Sequence, residues 1–236
     1  MTQTYQYPNA PIVEACIGLV FDNINISHLK NIAAIESANY PNVTEIKDFN
    51  NASQLIGLEI VDKEFKQRLK LQTNQFTFSR LNPYPGWHNF QPEAKRLWKL
   101  FSNVTDLIQI NSLSLRYINR IDLPVLPFND LGEYLNTLPK FNTSVTGEPN
   151  NFFMQLQIPQ KDIQADLIIT EALIDEPKIK DKLSLILDID VIKKALASKD
   201  NIWELLEQFH DRKNVVFEDS ITAKIRGLIN NVDNIK

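Results

Sequence analysis

The stretch LRYINRIDLP, residues 115–124, is the segment of the chain that most clearly indicates its fold. Its side chains alternate with a period of two, which places on one face Arg116, Ile118, Arg120 and Asp122. This alternation is typical of a β-strand whose two faces have different surroundings. We therefore expect an extended strand over 108–123, with both guanidinium groups leaving from the same side of a sheet.

The two arginines of this strand lie four positions apart, which corresponds to about 13 Å along an extended backbone. They are too far apart to hold one small phosphate together. Each can hold a separate group of an extended ligand, or it can pair with a carboxylate such as Asp122 or Asp188. Three interpretations stay open, namely an internal charge network that fixes the register of the sheet, a binding surface and, least favoured, a catalytic site.

An aromatic turn provides a second group of candidate residues. The turn NPYPG at 82–86 precedes an expected helix that starts at about Gln91. Aromatic side chains beside a cation are used in base stacking and in peptide recognition, but they also plug sheet edges and staple helices. Together with the strand above, the candidate binding residues are Arg116, Tyr117, Asn119, Arg120, Asp122, Arg80, Tyr84 and Trp87.

Two further clusters carry charge. Asp188 and Asp190, in LILDIDV at 185–191, share one face of an expected strand and lie about 6–7 Å apart along its backbone. They can hold one Mg²⁺ if further oxygen ligands arrive, or they form the wet face of an ordinary strand, so no metal ligand is assigned. The run HDRKN at 210–214 is interpreted as a solvated kink that interrupts the C-terminal helix.

Strand-like and helix-like segments alternate on either side of residues 115–124. The part before Pro124 has the order strand, helix, strands, helix, strand, which is similar to a ferredoxin-like (split βαβ) unit with an extra strand. The part after it has three successive strands, at 151–158, 165–175 and 182–191, and then helices.

The expected fold class is therefore α+β with a mainly antiparallel sheet. We expect a ferredoxin-like N-terminal part over 1–124 and a β-meander with C-terminal helices over 125–236. The sequence leaves open whether these parts form one continuous domain.

Composition excludes several classes of protein. The chain has 236 residues, a formal net charge of -4 and one cysteine, which rules out an internal disulfide and a cysteine-based metal site. This charge gives no general attraction to nucleic acid or to an anionic membrane. Gly-rich phosphate loops and hydrolase or metalloprotease motifs are absent, so no cofactor is expected. There is no apolar run of about 18 residues and no signal-peptide pattern, which predicts a cytoplasmic protein outside the membrane.

Five segments carry a family resemblance: PIVEA at 11–15, NPYPGW at 82–87, LRYINRIDLP at 115–124, LDIDV at 187–191 and WELLEQFHDRKNVVFEDSITAKI at 203–225. In this order they resemble a widespread, sporadically distributed bacterial family of uncharacterised α+β proteins. The resemblance implies a compact α+β protein encoded in bacteria, among mobile or defence-linked genes. It implies no activity that can be carried over.

Three functions remain open. The first is a non-enzymatic protein-interaction or accessory module that binds the product of a neighbouring gene in a bacterial operon, favoured because the globular pattern carries no catalytic signature. The second is an RNA- or nucleotide-binding domain that uses the arginines and the aromatic turn, which the net acidity of the chain disfavours. The third is a Mg²⁺-dependent hydrolase that uses Asp188 and Asp190.

Overall fold

Nine strands and four α-helices account for most of the residues that the computed structural model describes, which are 7–106, 109–123, 128–138, 151–174, 183–194 and 202–230. In chain order they are β1 (Ile12–Phe21), α1 (Ile26–Ile35), β2 (Asn42–Lys47), β3 (Leu55–Val61), β4 (Gln67–Gln72), β5 (Gln75–Leu81), α2 (Trp87–Thr105), β6 (Ile110–Leu123), β7 (Phe153–Gln160), β8 (Ala165–Ile174), β9 (Leu183–Lys193), α3 (Ile202–Ser220) and α4 (Ala223–Asn230). A 3-10 helix at Phe128–Glu133 follows β6. The fold class is α+β, as predicted.

All nine strands belong to one open sheet with the order β2-β3-β4-β5-β1-β6-β9-β8-β7. Every neighbouring pair is antiparallel. β6 pairs with β1 on one side and with β9 on the other, so it joins the five strands β1–β5 to the meander β7–β8–β9. The boundary expected between residues 124 and 125 lies outside the described residues.

The alternation of β6 separates two faces of this sheet, as its sequence predicts. One face buries the row Leu113, Leu115, Tyr117, Ile121 and Leu123. The helices α1, α2 and α3 pack on this side, which we call the covered face. The opposite side, which receives Arg116 and Arg120, is called the open face.

Aromatic side chains hold α2 on the covered face. Phe76 and Phe78 of β5 contact Trp98, Phe101 and Phe90 of α2 at ring-centre distances of 5.3 Å. Burying one such ring stabilises a fold by roughly 1.5–3 kcal/mol. Hydrophobic burial is therefore sufficient to fix α2 against the sheet.

The helix α3 runs without interruption through residues 211–214, so the predicted kink is wrong. Phe209, Lys213, Val216 and Ser220 are all buried, at intervals of three or four residues, which is the period of one helix face. The aliphatic stem of Lys213 fits this row because methylene groups separate its amine from the backbone. The charged run therefore belongs to the middle of a helix.

Two elements differ from the sequence-based expectation. The sequence does not indicate β2, because all its side chains are exposed or half-buried and leave no apolar alternation. The helix α2 starts at Trp87 rather than at about Gln91. Gly86 explains the earlier start, since its φ of 89° lets the chain turn directly into the helix.

Candidate functional site

The eight candidate binding residues lie on both faces of the sheet. Arg116, Arg120 and Asp122 are on the open face, whereas Tyr117 and Asn119 are buried on the covered face. The other three, Arg80, Tyr84 and Trp87, are half-buried, and the two aromatic ones among them pack towards the covered face. The structure therefore does not bring the eight residues together on one surface.

Arg116 forms a two-pronged ion pair with Asp188 of β9. Its Nε donates to Asp188 Oδ1 at 2.9 Å and to Oδ2 at 3.1 Å, and its Nη2 donates to Oδ2 at 2.5 Å. Asp188 is only 8% exposed. The hydrogen bonds to Asp188 raise the pKa of the Arg116 guanidinium above the ordinary value of an arginine. The pair is an internal ion pair that joins β6 to β9.

Asp190 lies directly opposite Arg116 in the register of β6 and β9. Its Oδ1 is buried and has no hydrogen-bond partner in the described part of the chain. Desolvation raises the pKa of this carboxyl to about 7, Asp188 adds to the rise, and Arg116 opposes it. Asp190 therefore holds a proton to a higher pH than an ordinary aspartate does.

Arg120 and Asp122 interact with each other and with Ser184. Arg120 Nε donates to Asp122 Oδ1 at 3.0 Å, and Ser184 Oγ donates to the same oxygen at 2.6 Å. Arg120 Nη2 donates to Ser184 Oγ at 3.1 Å. Both arginines of β6 are thus engaged within the sheet.

On the covered face, Tyr117 and Asn119 form hydrogen bonds to neighbouring elements of the fold. The hydroxyl groups of Tyr117 and Tyr84 are hydrogen-bonded at 2.8 Å, and burial raises the pKa of both phenols. Asn119 Nδ2 donates to the carbonyl oxygen of Leu187 at 3.0 Å. These contacts link β6 to the turn before α2 and to β9.

Trp87 joins the start of α2 to α3. Its ring stacks on His210 at a centre distance of 4.7 Å, and its Nε1 donates to Glu207 Oε2 at 2.9 Å. Desolvation lowers the pKa of His210 to about 3, and the charge of Lys213 contributes, so this imidazole is neutral at physiological pH. Trp87 therefore packs as a staple between two helices.

Lys213 lies beside β6. The sequence predicts it in a solvated kink, whereas in the structure it is buried on α3. It is 8% exposed, and its Nζ lies 3.9 Å from the ring centre of Tyr117. It forms no ion pair with any described residue. Desolvation lowers the pKa of this amine to about 7. The spacing of Phe209, Lys213 and Val216 is the signal that would have placed it on the buried face.

Arg80 of β5 and Cys16 of β1 lie on two neighbouring strands of the sheet. Arg80 Nε is buried and has no hydrogen-bond partner among the described residues. Cys16 Sγ lies 3.2 Å from both Glu14 Oε1 and Ser79 Oγ. Desolvation, reinforced by the Glu14 charge, raises the pKa of this thiol to about 12, so it is not a nucleophile at neutral pH.

The exposed edge of the sheet at β7 has a different character. Only β8 pairs with β7 among the described strands, and its sequence FMQLQIPQ contains no charge. Phe153, Leu156 and Ile158 are 71%, 40% and 40% exposed. An edge strand leaves a row of backbone N–H and C=O groups without a strand partner, and proteins usually protect such a row with charges. β7 is therefore the candidate interaction site.

The opposite edge, β2, is protected. It exposes Glu45 and Lys47, and its pairing with β3 has a register shift between Ile46 and Lys47. Charged side chains and bulges prevent another chain from adding to an edge. The two ends of one sheet thus differ in their readiness to accept a further strand.

Neither a protein-family model nor a curated protein matches this chain. No described helix is long and apolar enough to cross a membrane. Within the described residues, no group of three or more His, Cys, Asp and Glu side chains is placed to hold a metal ion. The geometry of the sheet and its edges is therefore the guide to what this chain does.

Proposed function

We propose that this chain is a non-enzymatic protein-interaction module that binds an extended segment of a partner protein along β7. The observation that carries the proposal is the edge over residues 153–158, which carries no charge ahead of Pro159 and exposes three apolar side chains. In strand addition, backbone hydrogen bonds supply affinity and alternate side chains supply specificity. An uncharged edge offers both kinds of contact without a cost for desolvating charges.

The side chains of β7 define the chemistry of the partner segment. Leu156 lies opposite the buried Ile169 and therefore on the covered face, together with Met154 and Ile158. Gln155 and Gln157 lie on the open face, and so does Phe153 at the start of the strand. An added strand continues both rows. The proposed partner segment consequently alternates apolar and uncharged polar residues over about six to eight positions.

The proposed partner is the product of a neighbouring gene in a bacterial operon, in a defence-linked setting and in the cytoplasm. This part of the proposal depends on the family resemblance carried by LRYINRIDLP at 115–124 and by the other segments that accompany it. Co-expression with each flanking gene product, followed by purification at physiological salt, tests it. Retention by the wild-type protein and loss from a variant with a charged β7 is the expected result.

We also propose that β1, α1, β4, β5, α2 and β6 form a ferredoxin-like (split βαβ) unit into which the hairpin β2–β3 is inserted. The support is the strand order β4-β5-β1-β6, with one helix after β1 and another between β5 and β6. In this proposal the unit is the scaffold, and the meander β7–β8–β9 carries the binding edge.

A synthetic peptide tests the strand addition directly. The hexapeptide FMQLQI, the sequence of residues 153–158, has the required alternation and no charge. Labelled at its N-terminus and amidated at its C-terminus, it is expected to bind the protein saturably in fluorescence anisotropy. A peptide with the same composition in scrambled order is the control and should bind weakly.

Two matched variants locate the site. Leu156→Lys places a charge on the covered face of β7, and we expect it to weaken binding at least about tenfold, or 1.4 kcal/mol. Val43→Lys places the same charge at an exposed apolar position on the covered face of β2, and we expect no change. Absence of binding to the wild-type protein, or equal binding by the two variants, contradicts the proposed function.

A further inference from the structure

A solvent-open cavity of about 280 Å³ lies at the end of β7 and extends across β8 to β9. Pro159 and Gln160, the last two residues of β7, form one wall, and Lys161, Gln164, Asp166 and Lys194 are among the other lining residues. Its volume is several times the roughly 30 Å³ that one water occupies. The cavity can therefore admit the end of a peptide rather than a solvent molecule alone.

Two cations, Lys161 and Lys194, line this cavity. Neither Lys161 nor Lys194 forms an ion pair or a hydrogen bond in the described part of the chain. Asp166 is the carboxylate among the lining residues. Two ammonium groups against one carboxylate leave a local positive charge, in a chain whose formal net charge is -4.

Further cations hold the glutamine side chains of the lining. Lys193 Nζ donates to Gln164 Oε1 at 3.2 Å, and Arg212 Nη1 donates to Gln160 Oε1. Arg212 also forms an ion pair with Asp162, which lies in the turn between β7 and β8. Because Asp162 compensates the charge of Arg212, Lys193 is the one of these two cations that adds to the positive potential at the cavity.

We propose that this cavity takes a carboxylate carried by the segment that adds along β7. The inference rests on the proposed function, because a strand that lies along β7 ends beside Pro159 and Gln160. Ammonium groups form charge-assisted hydrogen bonds with carboxylates, which are stronger than the bonds between neutral groups. The same contact fixes the register of the added strand, since backbone hydrogen bonds alone permit slippage along an uncharged edge.

The carboxylate can come from two sources, which differ in strand direction. A segment that runs parallel to β7 brings its C-terminal carboxylate to the cavity. A segment that runs antiparallel to β7 brings the side chain of an acidic residue near its start. The chemistry that the cavity recognises is the same in both cases.

Three peptides test whether a carboxylate improves binding and which of the two sources supplies it. They are FMQLQI with a free C-terminal carboxylate, FMQLQI amide, and FMQLQI amide preceded by an N-acetylated glutamate. Each is measured by displacement of the labelled amide probe. We expect one of the two carboxylate-bearing peptides to bind about tenfold more tightly than the plain amide, with an advantage that declines as salt is raised.

The double variant Lys161→Gln and Lys194→Gln is expected to reduce this advantage to less than about twofold and to leave the affinity of the plain amide unchanged. Lys47→Gln, on the opposite edge, is the matched control and should preserve the advantage. If the amide binds and neither carboxylate improves its affinity, the cavity inference is overturned and the strand addition stands. If no peptide binds, the proposed function fails and the cavity inference fails with it.

Discussion

β6 and β7 belong to the same sheet, and they differ in where their chemistry lies. β6 carries charged side chains on the open face, and each of them interacts within the sheet. β7 carries no charge, and its outer backbone groups have no strand partner among the described strands. Charged side chains that stand out in the sequence can thus pair within the fold, whereas an uncharged edge can bind another chain. Changes beside β6 should therefore alter stability and leave binding of the FMQLQI amide unaffected.

The largest stability effect is expected from Lys213→Met. In the folded protein the amine has a pKa of about 7, below its ordinary 10.5, so between these values the unfolded state binds more protons. Lys213 therefore contributes a rise in the unfolding free energy with pH between about 7 and 10.5, against the opposite contribution of Cys16, whose raised pKa acts above about pH 9. The ring of Tyr117 attracts the ammonium form by at most about 2 kcal/mol, less than the roughly 5 kcal/mol that this lowering of the pKa represents.

We expect Lys213→Met to be more stable than the wild type by roughly 4 kcal/mol at pH 7 and by less than about 1 kcal/mol at pH 10. Urea unfolding at each pH measures this difference. Lys99→Met, at an exposed position of α2, is the control and should show no such trend. A difference that does not change with pH contradicts the interpretation of Lys213 as a desolvated amine.

The next effect in size is expected from Asp190→Asn, with the opposite pH dependence. The folded pKa of about 7 lies above the ordinary 3.8, so the folded state binds more protons between these values and loses stability as pH rises through them. The variant should match the wild type near pH 4 and exceed its unfolding free energy by roughly 2–4 kcal/mol above pH 7. Comparison at each pH is required, because His210, with a pKa lowered to about 3, contributes the opposite slope in this range. A variant that is less stable at pH 8 contradicts the account of Asp190.

Arg116→Met is expected to destabilise the protein by about 2 kcal/mol. It leaves the buried carboxylate of Asp188 without its cation, which costs 3–5 kcal/mol in fully buried pairs and less here because Arg116 is 47% exposed. Arg120→Met is the matched control on the same strand, and it should cost less than about 1 kcal/mol because Asp122 is 38% exposed. Equal costs in thermal or urea unfolding would show that burial does not distinguish the two pairs.

The smallest effect is expected from Tyr84→Phe. It removes the hydrogen bond to the Tyr117 hydroxyl and leaves that buried group unsatisfied, at a cost of about 1 kcal/mol. The double variant with Tyr117→Phe should cost less than the sum of the two single variants, because neither hydroxyl is then left without its partner. Additive unfolding free energies in this cycle contradict a direct interaction.

The sequence predicts the central strand and its faces because β6 sits between two strands and keeps a strict alternation. The same principle identifies the meander, whose strands β8 and β9 alternate on a buried face. The prediction fails at Asn42–Lys47, where an edge strand has no buried row to generate a pattern. A strand can therefore be predicted from sequence where one buried face requires alternating apolar residues. It cannot be predicted in this way where most of its side chains face solvent.

The candidate site was less accessible to prediction. The sequence indicates that Arg116 and Arg120 share a face, but partner choice depends on register, which places Asp190 opposite Arg116 and Ser184 opposite Asp122. The exposure of β7 depends on its position at the end of the sheet, which no local pattern reveals. The nucleic-acid and Mg²⁺-dependent alternatives stay predictions, and so does the family resemblance.

Hydrogen exchange with and without the FMQLQI amide is the most direct test of the claim that β7 is a strand-addition surface. The account predicts that the peptide slows amide exchange within residues 153–160 and leaves β2 and β6 unchanged. Unchanged exchange in β7 under saturating peptide, or slowing confined to β6, would contradict it.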